Sequence, residues 1–532
     1  MKRLAFLLLV STLGLSAFAG TPVLNYKRLN AQAAREYNVP VRPGYEGRNP
    51  FWNGFSCKFI YAPAFGFPAV EGAVSYRYTL TTKAGDRSWS FTADKPDRPL
   101  SKVWKDVPPG DVVLTVQGLD KTGAPVGEPA TRSFFRDFPF TGPYPEPVIP
   151  YREAALKTMR QVHNAPWIQA WLTQDEPDMA FKHYTYANKT IGGVINVECL
   201  VARNIPSLRE EAIAIAKKAA GFIMGLAQGP DQPLAYLPPT YYKGLVASAK
   251  KENQGRTMAL DALAVATALL NLYDVCGEKA YFDRAVAMAG TYRRLQRPDG
   301  SFPVKLDYAT GEAFTDADAM LHPVVRFYTR LERQYGVTEF HDVLERAEAW
   351  MRDVALERFD LESQFEDVNI GGIKPYQNLT NCTAAPYATF LLTKPAPTAQ
   401  EKQQALDLIR LSEDQFVHWD VLPDSCGVRP EIVPCVHEQY KYEMGTVSSA
   451  GNVANAWLDY YLLTGDKLSY AKAKALIDRI TAVQDQRTGR LASTYRSRSP
   501  YKTDMFYDWV NCTYSALQSL LRMDAMTREK PE

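Results

Sequence analysis

The chain has 532 residues, too many for one ordinary hydrophobic core, so two domains are expected. Its 61 Lys and Arg side chains against 59 Asp and Glu leave no basic surplus, which excludes a nucleic-acid partner held by a broad cationic surface. The 30 Tyr, 24 Phe and 9 Trp include many rings that both stack and hydrogen-bond, a composition suited to a sugar cleft or to a large helical core.

The N-terminus reads as an export signal. Lys2 and Arg3 give a basic start, 4–15 is apolar, and Ala17-Phe18-Ala19 is a small-x-small site, so cleavage of residues 1–19 is expected after Ala19. The apolar run is short for a bilayer core of about 30 Å. No other segment is apolar enough to span a membrane. The mature chain is therefore expected to be secreted or periplasmic.

Residues 51–137 read as strands. Val74-Ser75-Tyr76-Arg77-Tyr78-Thr79-Leu80 alternates, as does Trp89-Ser90-Phe91-Thr92, and Val112-Val113-Leu114-Thr115-Val116 is β-rich. Pro108-Pro109-Gly110 and Lys121-Thr122-Gly123 are turns between them. The expectation is a small β-sandwich, and 107–120 resembles fibronectin type III domains in its proline-glycine turn before a strand. A proline-rich hinge, 138–150, follows.

Residues 151–527 are helical, with about a dozen amphipathic stretches from 152–172 to 508–523. Some repeat. Tyr273-Asp274-Val275-Cys276-Gly277-Glu278 leads into a helix ending at Gln296, then Asp299-Gly300; Tyr461-Leu462-Leu463-Thr464-Gly465-Asp466 leads into one ending at Gln484, then Thr488-Gly489. Arg333-Gln334-Tyr335-Gly336 is a partial third copy. Each Gly is read as a left-handed cap closing one helix before polar residues open the next, which makes serial αα-hairpins that stack to bury their apolar faces. The Tyr-x-x-x-Gly-Asp/Glu turn and the Gln-x-x-x-Gly ending resemble the six-hairpin glycosidase superfamily, which includes unsaturated glucuronyl hydrolases. That resemblance implies a mainly α fold, an (α/α)6 barrel of helical hairpins preceded by the β-sandwich. The alternative is an open α-solenoid for protein binding.

The candidate site residues lie in loops between hairpins. Glu366 and Asp367 stand before Gly371-Gly372. His437, Glu438 and Tyr440 follow Cys435, and a Cys426–Cys435 bridge is expected to stiffen that loop in an oxidising compartment. Tyr241, beside Pro238-Pro239, is a candidate stacking platform. Arg496 and Arg498, with Asp508 and Trp509 at the next helix start, suit an acidic sugar substituent. Glu413 and Asp414, before Trp419, are expected to pack against the rim, and Asp316 and Asp318 to cap a helix. The remaining cysteines, Cys199, Cys276 and Cys512, read as packing residues. No CxxC or His-x-x-x-His spacing occurs, so no metal or cofactor is expected.

Three functions fit. A glycoside hydrolase needs two carboxyl groups across the bond, and Glu366 or Asp367 with Glu438 form the candidate pair. A polysaccharide lyase or sugar epimerase would use His437, Tyr440 and Arg496. A non-catalytic carbohydrate- or protein-binding scaffold predicts no facing carboxylates.

Overall fold

In the computed structural model of the chain, the described residues are 21–42, 55–242, 253–362, 364–365, 374, 376–421, 432–440, 442–495 and 509–528. The export signal lies outside them.

The first element was not legible as a helix. It is α1 (Tyr26–Glu36), capped by Asn25, whose side chain accepts from Arg28 N at 3.1 Å. Then β1 (Lys58–Phe59), β2 (Ser75–Thr82), β3 (Ser88–Ala93), β4 (Gly110–Leu119) and β5 (Pro125–Arg136) form one five-stranded sheet, ordered β1-β5-β4-β2-β3. Only β1 and β5 pair in parallel. The alternation expected in 74–80 is present: Tyr76, Tyr78 and Leu80 are buried while Arg77 is exposed. The expected opposing sheet is absent among the described residues. Trp104 and the aromatic cluster of Phe59, Phe65 and Phe134 cover the buried face instead, and Trp104 Nε1 donates to Ile60 O at 2.8 Å.

The helical part continues with α2 (Tyr151–His163), α3 (Pro166–Thr173), α4 (Ala187–Asn204), α5 (Arg209–Leu226), α6 (Ala262–Cys276), α7 (Lys279–Leu295), α8 (His322–Tyr335) and α9 (His341–Trp350). It ends with α10 (Asn381–Leu392), α11 (Ala399–Phe416), α12 (Val447–Thr464), α13 (Lys467–Val483) and α14 (Val510–Thr527). The stretch read as one helix over 152–172 is two, because Pro166 lacks the amide hydrogen an uninterrupted helix needs and instead starts α3.

Helices α4, α6, α8, α10, α12 and α14 pack in that order, and α14 packs back on α4. The ring closes. Helices α5, α7, α9, α11 and α13 stand outside, each paired with the inner helix before it, and the last inner helix, α14, pairs with α2. This is the (α/α)6 arrangement, not the open solenoid. The inner helix α4 is drier than the outer helix α7: α4 buries 14 of its 18 residues, whereas α7 buries 6 of 17. Gly193 lets α14 approach α4, since a Cβ there would lie 2.8 Å from Val510 Cγ1 and 3.0 Å from Asn511 N. The caps expected from sequence are present: Gly277, Gly336 and Gly465 are left-handed, at φ 75°, 71° and 76°.

The sheet docks on the outside of the ring at α11. Asp414 Oδ1 accepts the amides of Ile60 and Tyr61 at 2.6 and 2.8 Å, and Glu413 binds four further donors. The segment expected to be a hinge is packed, with Phe140 edge-on to Trp419 at 5.0 Å and Val148 N bonded to Thr481 Oγ1 at 2.9 Å.

Candidate active site

All six inner helices start at the same end of the ring, so the longer connections gather there and the positive ends of six helix dipoles point towards it. A cavity of about 200 Å³ opens at this mouth, walled by Asp261, His322, Phe365, Thr380, Cys382 and Thr383 among others. Asp261 immediately precedes α6, His322 is the first residue of α8, and Cys382 lies in the first turn of α10. Burial, reinforced by the charge of Arg326, pushes His322 down to about 3, so its imidazole is neutral at every physiological pH, and its Nδ1 has no hydrogen-bond partner. Arg326 is exposed to solvent although protein surrounds it, as expected of a side chain inside the lumen; Tyr514, on the facing helix α14, acts on it across that space.

Strand β9 (Cys435–Gln439) decides the fate of three candidates. It lies between β8 (Val417–His418) and β10 (Tyr442–Gly445), while β6 (Arg256–Met258) and β7 (Lys305–Asp307) pair with each other. Alternation sends neighbouring side chains to opposite faces. Glu438 points to the mouth, with Oε1 3.8 Å from Cys382 Sγ. His437 points away, to the interface with the sheet domain, where its Nδ1 meets His418 Nε2 at 3.2 Å. Burial and the nearby His418 and Lys58 hold His437 well below the usual imidazole range. It is therefore a neutral packing residue, which corrects its place among the catalytic candidates.

Tyr440 follows the strand, and its hydroxyl donates to Gln415 Oε1 at 2.5 Å and meets Ser56 Oγ at 3.1 Å, between ring and sheet. The Cys435 thiol is buried where a Cβ on Gly445 would stand 3.0 Å from its Sγ. Cys426, Glu366, Asp367, Arg496, Arg498 and Asp508 lie outside the described residues. Tyr241 is only 6% exposed; it supports Tyr186, 6.1 Å away between ring centroids, rather than offering its own face. Asp318 pairs with Arg297 at 2.8 Å instead of capping α8, which begins later at His322.

Trp509 does stand at the mouth. Its ring lies 3.9 Å from His183 and 5.8 Å from Tyr186, and Lys189 Nζ is 4.6 Å above it. The same ammonium is 5.4 Å from the Phe365 ring, which carries this aromatic wall onto the cavity. His183, Tyr186, Asp261, His322 and Cys382 were not singled out from sequence. The available signal was a polar residue at or just before the first turn of an otherwise apolar helix.

No protein-family model matches the chain, and no curated protein matches it. Solved structures do resemble it. A family 76 glycoside hydrolase from Bacteroides thetaiotaomicron aligns over 86% of this chain and 95% of its own, at 8% identity and a TM-score of 0.45. A cellobiose 2-epimerase from Spirochaeta thermophila aligns over 71% and 98%, at 12% identity and a TM-score of 0.48. A sugar epimerase from a ruminal bacterium aligns over 69% and 98%, at 13% and 0.47. Similarity of this order carries no activity from one chain to another.

The cavity is thus lined by Asp261, the His322 imidazole and the Cys382 thiol, with Glu438 against Cys382 and the Lys189 ammonium over the Trp509 and Phe365 rings nearby. Among the described residues, no group of three or more His, Cys, Asp or Glu side chains is arranged to hold a metal ion. No helix among them is long and apolar enough to cross a membrane.

Proposed function

We propose that the chain is an exported carbohydrate-active enzyme, a glycoside hydrolase working at the mouth of the ring. The observation that carries this reading is that Asp261 lines this cavity while Glu438, from a distant part of the sequence, lies with Oε1 3.8 Å from the Sγ of Cys382, another of its walls. One carboxyl group protonates the leaving oxygen while the other attacks or activates water. Trp509 and Tyr186 present ring faces to the sugar, and Lys189 donates to its hydroxyls. The signal-like residues 1–19 fit a substrate met outside the cytoplasm.

Turnover of a polysaccharide and aryl-glycoside panel tests it, comparing wild type with Glu438→Gln and Asp261→Asn. Each variant is expected to lose about 10²–10⁴-fold in kcat, the usual worth of a general acid or base, with KM little changed. Glu366→Gln and Asp367→Asn belong in the same series, since both precede the mouth in sequence. Wild-type turnover in both the Glu438 and Asp261 variants would sink the assignment.

A second reading draws on His322. Its imidazole lines the same cavity with an unpartnered Nδ1, so it is placed to take a proton from a sugar carbon, as an epimerase does, once a bound sugar offsets the burial that depresses its basicity. Deuterium uptake from solvent into recovered sugar, without glycosidic cleavage, would favour it over hydrolysis.

A further inference from the structure

A second cavity, about 680 Å³, lies beside the mouth, between the C-terminal end of α2 and the turn that follows α13. Lys157, Arg160, Arg487 and Arg490 converge on it from those two elements, and Trp167 closes one end. Its acidic neighbours are already engaged. Glu153 pairs with Lys157 at 3.1 Å, and Asp485 accepts the amides of Arg487 and Thr488 at 2.9 Å. Among the described residues, no carboxylate forms an ion pair with Arg160 or Arg487, and both are exposed. The groove is thus left with net positive charge.

Its walls are bonded to each other. Thr158 Oγ1 donates to Gly489 O at 2.9 Å, and Gln484 Nε2 donates to Thr158 Oγ1 at 2.6 Å. Gly489, at φ 79°, lets the turn press against α2, because a Cβ there would stand 2.7 Å from Lys157 O. The cationic residues are therefore held on a fixed frame.

An aromatic path joins this groove to the mouth. Trp167 stacks in parallel on Phe181, with centroids 4.0 Å apart and planes at 5°. Phe181 meets His183 at 5.1 Å, and His183 meets Trp509 at 3.9 Å. Val510 and Thr513, which line the groove, belong to the first turn of α14, directly after Trp509.

We propose that this groove is a remote subsite for an anionic stretch of glycan, whose carboxylate or sulfate groups bind the guanidinium forks of Arg160 and Arg487 while the chain runs along the aromatic path into the mouth. The substrate class is then an acidic polysaccharide. The proposal rests on the carbohydrate reading above and deepens it. Forked guanidinium groups match the paired oxygens of either anion, and aromatic faces match the apolar faces of sugar rings.

Calorimetric binding to the full mature chain tests it, with a galacturonate hexasaccharide, a sulfated carrageenan hexasaccharide and neutral cellohexaose as probes. Wild type is expected to bind at least one acidic probe tenfold or more tightly than the neutral one at low salt, and the tighter of the two identifies the anion. The Arg160→Gln, Arg487→Gln double variant is expected to lose tenfold or more in affinity for that probe while its affinity for cellohexaose stays the same. Arg160→Lys with Arg487→Lys, which keeps the charge and loses the fork, is expected to fall between. Equal affinity of wild type for acidic and neutral probes overturns the proposal, as does undiminished acidic binding in the glutamine variant. Repeating the titrations with Glu438→Gln separates the two readings, since binding persists there whether or not Glu438 is catalytic.

Discussion

Glu413 offers the sharpest test of how the parts of this molecule hold together. Its carboxylate, wholly buried, accepts from Tyr37 Oη at 2.8 Å, Tyr61 Oη at 2.7 Å, Trp419 Nε1 at 3.1 Å and Lys472 Nζ at 2.8 Å. These donors come from the end of α1, the sheet domain, the segment after β8 and the outer helix α13, so one side chain joins four parts of the chain. Glu413→Ala leaves the Lys472 ammonium buried without its counter-ion, a loss of about 3–5 kcal/mol. Each orphaned hydroxyl or indole adds about 1–3 kcal/mol. These terms share one site and do not sum, and Lys472 keeps the Trp457 ring at 4.7 Å. A net loss of about 4–5 kcal/mol is expected, a large part of the roughly 5–15 kcal/mol that stabilises a domain. Urea unfolding followed by tryptophan fluorescence measures it. Glu413→Leu combined with Lys472→Met, which removes both charges, is expected to recover most of the loss. If Glu413→Ala unfolds within about 1 kcal/mol of wild type, the carboxylate is not the junction described.

Two further outcomes concern stability. Burial raises the Asp414 carboxyl from 3.8 to about 7, against the opposing pull of the Tyr61 amide and Gln415, so between those values the folded chain binds the extra proton. The stability this supplies is full below about pH 4 and is lost as pH rises through 7; unfolding midpoints should fall from pH 5 to pH 8 in wild type, and less in Asp414→Asn. Gly277→Ala strains only a left-handed cap and should cost about 1 kcal/mol. Gly300→Ala, at φ 90°, adds a collision with Arg346 O and should cost at least about 2 kcal/mol. Equal melting temperatures for the two glycine variants would remove the close approach from the account.

The hairpins were legible because their signals are local. The apolar period and the Gly277, Gly336 and Gly465 caps each act within a turn or two of chain. The glutamine that closes each of helices α7 and α13, four or five residues before a glycine, proves to be a device between hairpins: Gln296 Nε2 reaches Val343 O on the next outer helix at 3.1 Å, and Gln484 Nε2 reaches Ala154 O on α2 at 2.7 Å. Helix α1 escaped notice because it buries only Leu29 and Ala33, too few positions to set a period.

The site was legible only in part, for a geometric reason. The sequence around 435–439 reads as a loop, where neighbouring side chains are free to share a pocket. As strand β9 they alternate, so His437 and Glu438 cannot both face the mouth. Chemically, the polar side chains at the ring–sheet interface resemble those of an active site: two histidines, two tyrosines and buried carboxylates at 413 and 414. What separates them from Asp261 and Glu438 is the surface they face. That is set by the docking of residues more than 350 positions apart, such as Tyr61 against Asp414, and no local pattern encodes it. Residue type therefore nominates a site, and only strand alternation and domain docking select among the nominees.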